Sequence, residues 1–392
     1  MSLLSEDTYL PWQNPQFRTD PYPWYRRLQH DHPVYALDGG YVVSRYEDIV
    51  RYLKLPIMSV ETAWASQGPW SYVGDTMLGV DPPRHTTRRR HTNKWFTPKL
   101  VRQWAKTTAE AAGLALDRLG EDGVIEAWTD LAAIPAHATM CRVLGFPDDD
   151  AHSIVEAMFG AMQMMSAAPN PGDEELAAQS FTYLEKRVRE MLADVRSVDD
   201  SGMARALLTA SEAGQLTPQQ ALATITVFYG LGHMDVGYLV AAGLDQFAQR
   251  PEVFHAYKHN PELRGAIVDE IVRIDPPELS VVRYPTEDVE IRGVHIPAST
   301  PIRFMIAAAN RDPEVFIDPD TFDYTRSPEA GRNLSFGLGA HSCAGQVISR
   351  AEAEAVYTEV ATRFDHVERA GEPVRANHDF ARFYWSLPLR LS

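Results

Sequence analysis

The stretch Phe336-Gly337-Leu338-Gly339-Ala340-His341-Ser342-Cys343-Ala344-Gly345 decides how the whole chain is interpreted. Its glycines permit tight turns and let the backbone come close to a flat ligand. Cys343 stands just before a predicted helix, where free N–H groups and the positive end of the helix dipole stabilise a thiolate. Such a thiolate is either a metal ligand or a nucleophile, and His341 is close enough in sequence to serve a nucleophile as its base. The residues of the loop leave both roles open.

The composition is that of a soluble globular protein. The chain has 392 residues, of which 53 are acidic and 37 basic, and its net charge is −16. Because this charge repels nucleic-acid phosphates and anionic lipids, it argues against a nucleic-acid or membrane-surface partner. The two cysteines, Cys141 and Cys343, argue against a disulfide scaffold or a cysteine-rich zinc module. Cys141 is expected to be a small buried apolar side chain.

No segment is predicted to enter or cross a membrane. Residues 1–7 contain neither a basic region nor a long apolar run, so we expect no secretory signal or anchor there. Residues 221–240 are apolar enough to suggest a span, but they carry His233 and Asp235 near the centre, where charge is costly in lipid. We therefore predict a long helix inside a soluble domain and a cytoplasmic protein.

Apolar periodicity predicts a mostly helical chain with a minor β part. Long helical patterns cover residues 99–119, 125–144, 151–165, 174–195, 218–249, 262–274 and 344–364. Shorter elements are a helix over 20–28, a helical turn over 48–53, and strands over 40–44, 281–282, 289–291 and 302–305. Residues 68–83 and 310–340 are predicted to be irregular, and a long irregular segment inside a compact domain is usually functional. The breaks at 166–172 and 197–202 are too short to be linkers, so one domain is predicted over 1–392.

Further motifs appear along the chain in the order typical of one protein family. Glu270-Ile271-Val272-Arg273 places two opposite charges three residues apart, on one helix face where they can pair. The other motifs are Asp81-Pro82-Pro83-Arg84-His85, Phe96-Thr97-Pro98, Asn310-Arg311-Asp312-Pro313 and Phe322-Asp323-Tyr324-Thr325-Arg326. Together with the cysteine loop, these motifs resemble the cytochrome P450s. The resemblance extends from about residue 20 to the C-terminus, and it implies the P450 fold, mainly α with minor β, in a single haem domain.

The resemblance implies a haem b cofactor and a role for each matched residue. Cys343 would be the thiolate ligand of the haem iron, to which it donates electron density. Cations and hydrogen-bond donors would offset the two haem propionates, and the family positions for these are occupied by His85, Arg89, Arg283 and His341. Phe336 would shield the thiolate, and Gly345 completes the signature. For His85 and Arg89 the alternative is an ordinary surface position on a basic helix.

Two groups of charges are assigned outside the pocket. The resemblance implies a structural, non-catalytic ion-pair triad of Glu270, Arg273 and Arg326. The basic cluster of residues 88–90 with Lys94 and Lys99 is either a solvated face or a docking patch for an acidic electron donor. The family implies a flavodoxin or a ferredoxin, with its reductase, as that donor.

The predicted helix over 218–249 departs from the family pattern Ala-Gly-x-(Glu or Asp)-Thr. It reads Leu231-Gly232-His233-Met234-Asp235, so Met234 stands in the place of the acid and Asp235 in the place of the threonine. The usual pair supplies protons for oxygen activation, which a methionine cannot do. Asp235 can do so if burial raises its pKa, or it can donate a proton or a hydrogen bond to the substrate. Met234 and Asp235 are therefore the candidate catalytic residues.

Three functions remain open at this point. The distal helix looks like that of a flavodoxin-partnered P450 haem domain that reductively denitrates the nitramine RDX and releases nitrite. If Met234 is only pocket lining, the chain is an oxygen-dependent monooxygenase that hydroxylates or dealkylates a small apolar or aromatic compound. Loss of the proton relay is also compatible with a haem binder or sensor without turnover.

The candidate pocket residues stand at positions that the family uses for substrate. They are Trp70, Tyr72, Met77, Phe228, Leu231, Met234, Glu278, Leu279 and Val281. Glu278 either faces an otherwise apolar cavity or is a solvated loop residue. The expected substrate is a small, neutral organic molecule.

Overall fold

The computed structural model describes residues 9–61, 70–147, 150–194, 198–327 and 331–392. The predictions for residues 1–7, for 68–69 and 328–330 of the two irregular segments, and for residues 195 and 197 lie outside these ranges. Within the described ranges the chain is mainly helical with four small sheets. This agrees with the predicted fold class.

Proline and polar caps mark where several of the helices begin. The helices are α1 (Pro15–Thr19), α2 (Tyr22–Asp31), α3 (Tyr46–Tyr52), α4 (Trp70–Gly74), α5 (Arg84–Asn93), α6 (Pro98–Leu116), α7 (Ile134–Leu144), α8 (Ala151–Met162), α9 (Asp173–Ala193), α10 (Met203–Glu212), α11 (Pro218–Gln249), α12 (Pro251–His259), α13 (Arg264–Ile274), α14 (Ile306–Ala309) and α15 (Gln346–Arg363). In α6, α11 and α12 proline occupies the first turn, where its missing N–H is not needed. Thr217 and Gln220 form a capping box at the start of α11.

A five-stranded sheet fixes the segment that follows α13, which includes Arg283. The strands are β1 (Val34–Leu37), β2 (Gly40–Val43), β3 (Met58–Ser59), β4 (Val124–Glu126), β5 (Val281–Pro285), β6 (Val289–Ile291), β7 (Val294–Ile296), β8 (Ile302–Phe304), β9 (Val367–Arg369), β10 (Val374–Arg375), β11 (Tyr384–Ser386) and β12 (Pro388–Leu391). The large sheet has the order β1-β2-β8-β5-β3. β2 and β8 run parallel, and β5 pairs antiparallel with β8 so that Arg283 lies opposite Ile302. This register sets the position of Arg283 and of the residues just before it.

Several observed elements differ from the predicted ones. Residues 125–144 were predicted as one helix, but they comprise the end of β4, a π-helical stretch at Trp128–Ala133, and α7. β4 forms because it pairs with the C-terminal strand β12 and because the Glu126 carboxylate accepts from the Leu387 N–H over 2.6 Å. The irregular stretch 68–83 contains α4 and a 3-10 turn at Met77–Gly79. The helices α10 and α12 were not predicted.

Helix α11 runs through the core with nearly all of its surface covered. It is long and apolar enough to cross a membrane, yet 78% of its most apolar window is buried inside the protein, as expected of a core helix. A Cβ on Gly243 would lie 2.0 Å from the Tyr357 hydroxyl oxygen. That hydroxyl donates to the Leu239 carbonyl oxygen over 2.6 Å. Glycine at 243 therefore lets α15, the helix that follows the cysteine loop, lie directly against α11.

The buried ion pair between Glu270 and Arg273 joins α13 to the turns that precede the cysteine loop. Arg273 Nε and Nη2 each lie 2.7 Å from a Glu270 oxygen, and Arg273 Nη1 donates to the Asn310 carbonyl oxygen over 2.7 Å. Arg326 Nε reaches Glu270 Oε1 at 3.3 Å. Because both members of the first pair are almost fully buried, neither can be removed without leaving an unpaired charge.

Replacement of Arg273 is therefore expected to destabilise the protein strongly. Arg273→Gln should lower the free energy of unfolding by about 3–5 kcal/mol, because Glu270 stays buried without its main partner. The measurement is a urea titration of holoprotein samples with equal haem content. The matched control is Arg189→Gln, which breaks an exposed 2.7 Å pair with Glu185 on α9 and should change stability by about 0–1 kcal/mol. Equal losses in the two variants would contradict the structural role of Arg273.

Candidate haem–thiolate active site

The cysteine loop is held in one shape by a glycine conformation and a backbone hydrogen bond. Gly339 has a φ of 73°, in the left-handed region that favours glycine. A Cβ there would also lie 2.9 Å from the Leu53 carbonyl oxygen. The Cys343 N–H donates to the Phe336 carbonyl oxygen over 2.7 Å, and the Arg350 guanidinium covers the Phe336 ring at 4.2 Å. The loop therefore presents Cys343 from a rigid turn just before α15.

The Cys343 thiol is poorly solvated, although the residue keeps an exposed surface in the structure without a cofactor. Burial raises the pKa of Cys343 to about 11, and the carboxyl groups of Asp235 and Glu278 raise it further, whereas the Gly345 N–H and Arg89 lower it. Without a cation the thiol is neutral at pH 7, and a bound metal ion is the agent that deprotonates a thiol outright.

His341 is not arranged as a base for this thiol. Its described contacts are the His85 ring, with centroids 4.3 Å apart, and Asp81, whose Oδ1 lies 3.6 Å from His341 Nε2. Burial lowers the pKa of His341 to about 4, and the nearby Arg283 and His85 lower it as well. Of the two roles that the loop left open, the geometry favours Cys343 as a metal ligand.

His85, His341 and Arg283 form a cluster of hydrogen-bond donors suited to anionic groups. His85 Nδ1 and His341 Nε2 are buried and have no hydrogen-bond partner among the described residues. Burial lowers the pKa of Arg283 to about 10, and its guanidinium donates to the Val282 carbonyl oxygen over 2.8 Å. Unpaired donors are costly in a protein interior. The cluster therefore fits the two propionates of a haem.

Arg89 has a different set of contacts. Its Nη1 atom donates to the Ala340 carbonyl oxygen over 2.9 Å and to the Ser342 carbonyl oxygen over 2.7 Å. Burial lowers the pKa of Arg89, and the neighbouring Cys343 opposes that shift. Arg89 thus braces the cysteine loop from α5, a contact that sequence reasoning did not anticipate.

One stripe of α11 is left partly accessible while its neighbours are buried. Within residues 221–247 the half-buried positions are Phe228, Leu231, Gly232 and Asp235, which follow the spacing of a single helix face. Asp235 Oδ1 is buried without a hydrogen-bond partner among the described residues, and burial raises the pKa of Asp235 to about 6. Met234 is only 1% exposed and packs in the core. Asp235, and not Met234, therefore lies on the partly accessible stripe of α11.

Glu278 enters the same region from the segment between α13 and β5. An isolated antiparallel bridge joins it to Ala381, and the next residue, Leu279, donates its N–H to the Phe380 carbonyl oxygen over 2.8 Å. Burial raises the pKa of Glu278 well above its ordinary value, Asp235 raises it further, and Arg283 opposes the rise. Glu278 is half-buried, so it is not a fully solvated loop residue, and its place in a substrate pocket stays a prediction.

The remaining pocket candidates are spread more widely. Val281 is half-buried on β5, and Phe228 stacks on Phe96 with ring centres 5.7 Å apart. Leu279 and Met77 are buried. Tyr72 stacks on Phe181 and lines an outer groove of about 520 Å³ beside α9. Trp70 begins α4, and its side chain lies outside the described part of the chain.

Asp81, the first residue of the motif that precedes α5, had no predicted role but contacts residues next to the site. Its carboxylate bonds to the Ser59 hydroxyl and accepts from the Val60 N–H over 3.2 Å. Its own N–H donates to the Glu61 carboxylate over 2.7 Å. Asp81 thereby sets the distance between β3 and His341. In the sequence, the only indication of this role was that Asp81 begins the family motif that leads into α5.

These features define the class of protein. The residues fit a haem: Cys343 would ligate the iron, and His85, His341 and Arg283 would hold the propionates. Bound haem supplies one-electron and dioxygen chemistry, and the residues of the chain supply its anchoring and its surroundings. The fold and the site are those of a haem–thiolate oxidoreductase.

Comparison with known proteins gives the family. The sequence profile of the cytochrome P450 family matches residues 157–383, and the chain belongs to that family. It is 28% identical to the biotin biosynthesis cytochrome P450 of Bacillus subtilis over 352 residues, which cover 86% of this chain and 88% of that protein. It is 27% identical to cytochrome P450-terp of a Pseudomonas species, with 95% of this chain and 93% of that protein covered.

Solved structures agree with this assignment. The structure of P450BioI in complex with an acyl carrier protein ligated to hexadec-9Z-enoic acid has a TM-score of 0.85 at 26% identity, covering 96% of this chain and 99% of that one. CYP164A2 of Mycobacterium smegmatis gives 0.86 at 25% identity, with coverage of 97% and 99%. The chain is therefore a cytochrome P450 of the bacterial soluble type, with haem b as its cofactor and a redox partner as its source of electrons.

Replacement of Cys343 is expected to abolish the thiolate spectrum. Cys343→Ser should lose the red-shifted Soret band of the ferrous–CO complex, because a hydroxyl does not replace the thiolate as a donor to iron. The spectrum should persist in Cys141→Ala, which removes the other cysteine from its fully buried place in the core. A thiolate band in Cys343→Ser, or its loss in Cys141→Ala, would contradict the assignment.

Replacement of Arg283 is expected to weaken haem retention. Arg283→Gln removes a buried charge that the carboxylates of haem would otherwise pair with, so haem should transfer faster to apomyoglobin. Arg90→Gln removes the same charge from an exposed position on α5 and should leave the transfer rate unchanged. Equal transfer rates in the two variants would argue against a propionate contact of Arg283.

Proposed function

We propose that this P450 is an oxygen-dependent monooxygenase that acts on a small organic molecule. In it, Asp235 supplies the protons for oxygen activation, a task that an acid–alcohol pair performs in the usual family pattern. The observation that carries this proposal is the position of Asp235. Its carboxyl group lies on the half-accessible stripe of α11, with a buried oxygen that lacks a hydrogen-bond partner among the described residues.

The pKa of Asp235 suits the task. Burial raises it to about 6, and a proton donor or acceptor is most effective when its pKa lies near the working pH. Met234, buried in the core behind the stripe, has no proton to give. Proton delivery at this site therefore falls to one carboxyl group.

The electron donor is proposed to be a flavodoxin or a ferredoxin with its reductase, in the cytoplasm. Part of the basic cluster is already engaged by the protein, since Arg88 donates to the Gly74 carbonyl oxygen over 2.8 Å and Arg89 braces the cysteine loop. The exposed members are Arg90, Lys94 and Lys99. These three charges form the smaller patch that is free to meet an acidic partner.

Reductive denitration of a nitramine such as RDX, with a flavodoxin as donor, is the second candidate function. The observation that favours it is the absence of a hydroxyl at position 235 together with a methionine at 234. A site that delivers protons poorly to oxygen can still pass electrons to a bound nitro compound, which then loses nitrite.

One variant series separates these functions. Asp235→Asn keeps the shape and removes the proton, so product formed per reductant consumed should fall by about 10²–10⁴-fold, with the electrons diverted to hydrogen peroxide. Asp235→Thr restores the usual hydroxyl and should recover part of the loss. The assay uses compounds found by haem spin-state shift, in air, with ferredoxin and flavodoxin tested in parallel.

Other results would decide against the proposal. Nitrite release from RDX without oxygen, and no oxygen-dependent product, would establish the reductive function. Unchanged coupling in Asp235→Asn would show that Asp235 does not handle the protons. Absence of turnover with every donor and compound would favour a haem binder or sensor.

A further inference from the structure

Helix α12 carries two histidines, His255 and His259, on its solvent-facing side. The opposite side is buried and consists of Val253, Phe254, Ala256 and Tyr257. Both histidines are exposed, and because they are four residues apart their side chains lie on the same face of the helix. Their ring centres are 4.3 Å apart, with the ring planes tilted by 52°. Two imidazoles therefore stand side by side at the surface of the protein.

Three other exposed histidines face a carboxylate instead of a second imidazole. They are His30, 2.7 Å from Asp31, His152, 3.3 Å from Glu156, and His295, 3.4 Å from Asp288. In the part of the chain that the structure describes, no hydrogen bond or ion pair holds His255 or His259 to another residue. A neutral imidazole keeps one nitrogen lone pair, so each ring of the α12 pair can donate to an ion from solvent.

We propose that His255 and His259 form a surface binding site for a divalent transition metal ion, with Cu²⁺ and Ni²⁺ as the best-suited ions. Imidazole nitrogen suits these metals, whereas Mg²⁺ and Ca²⁺ prefer oxygen ligands. No group of three or more potential metal ligands comes together among the described residues, so water completes the coordination. The site lies on a helix that contributes no residue to the haem site, and it is independent of the proposed function.

The ring separation selects ions that accept ligands at right angles. A metal ion lies about 2.0–2.1 Å from an imidazole nitrogen and roughly 3.2 Å from the ring centre. Two such rings at right angles have centres about 4.5 Å apart, and two at the tetrahedral angle have centres about 5.2 Å apart. The observed 4.3 Å is closer to the first value. Ligands at right angles are found in square-planar and tetragonal sites, which are typical of Cu²⁺ and Ni²⁺.

The charges around the pair do not oppose a cation. Lys258 directs its ammonium group to the end of α15, where it lies 2.6 Å from the Asp365 carboxylate. Its positive charge is therefore already paired. Glu252, in the first turn of α12, precedes His255 by three residues and lies on the same face. The net charge of −16 on the whole chain also favours the approach of a divalent cation.

The test is a calorimetric titration of the holoenzyme, prepared without an affinity tag, with Ni²⁺, Cu²⁺ and Mg²⁺. Cu²⁺ should bind more tightly than Ni²⁺, following the general order of affinity for nitrogen ligands, and Mg²⁺ should give no binding heat. The melting temperature should rise with Ni²⁺ concentration, because an ion that binds only the folded state stabilises it.

Two single variants remove one ligand each. Loss of a residue that only supports a metal ligand costs about 10–100-fold in affinity. His255→Gln and His259→Gln should therefore each weaken Ni²⁺ binding by at least about tenfold, and the double variant should abolish it. The matched control is His152→Gln, which removes an exposed imidazole four residues from Glu156 on α8. This control should keep the full affinity for Ni²⁺.

A spacing variant separates chelation from the number of histidines. Glu252→His/His255→Gln keeps two imidazoles on one face of α12 but places them seven residues apart, which is about 10 Å along the helix axis. One ion cannot reach both rings at that distance. The affinity for Ni²⁺ should therefore fall to that of His255→Gln.

The proposal is overturned if the unmodified holoenzyme does not bind Ni²⁺, or if the double variant or the spacing variant binds it as tightly as the unmodified protein. Loss of binding in His152→Gln would also overturn it, because the ion would then lie elsewhere. Ferrous–CO spectra and circular dichroism check that each variant is folded and holds haem. Since no measurement here needs turnover, these outcomes do not depend on the oxygen-dependent assay of Asp235→Asn.

Discussion

Desolvation of the Cys343 thiol sets the electrostatic conditions for the whole site. The space beside the sulfur is enclosed by polypeptide, so a charge placed there loses most of its hydration and must find a partner. His85 Nδ1 and His341 Nε2 have no hydrogen-bond partner among the described residues, and the Arg283 charge lies near His341. The carboxyl groups of Asp235 and Glu278 lie near enough to the thiol to raise its pKa. The surroundings of Cys343 are therefore polarised by groups from several elements of the fold.

Helix α11 makes this polarisation possible by dividing its surface between two tasks. One side is packed so closely that a Cβ on Gly230 would lie 2.3 Å from Met158 Sδ. The stripe with Phe228, Leu231 and Asp235 stays half-accessible. Tight packing of the buried face of α11 fixes the position of the half-accessible stripe. A charged side chain can be held in a defined place only if the element that carries it is fixed in this way.

The sequence predicted well wherever local signals and the tertiary structure agree. Helix α11 begins and ends at the predicted residues, because a capping box and a proline define its start. The prediction from sequence failed where contacts between distant segments determine the secondary structure, as at β4, whose partner strand lies near the C-terminus. The sequence also did not predict which way individual side chains point. Met234 and Asp235 are adjacent in sequence, yet the first is buried in the core and the second lies on the partly accessible stripe. The contact of Arg89 with the cysteine loop depends on how α5 packs against that loop.

The exchange of a hydroxyl for a carboxyl at position 235 changes more than the proton relay. A threonine is neutral at every pH, so it needs no counter-ion and places no demand on its neighbours. A buried carboxyl group ionises only at a cost, and Asp235 in turn raises the pKa of Glu278. Because the folded state holds the Asp235 proton more tightly than the unfolded chain does, its contribution to stability is lost as the pH rises from about 4 through about 6. An arrangement that costs stability in this way is typical of functional sites.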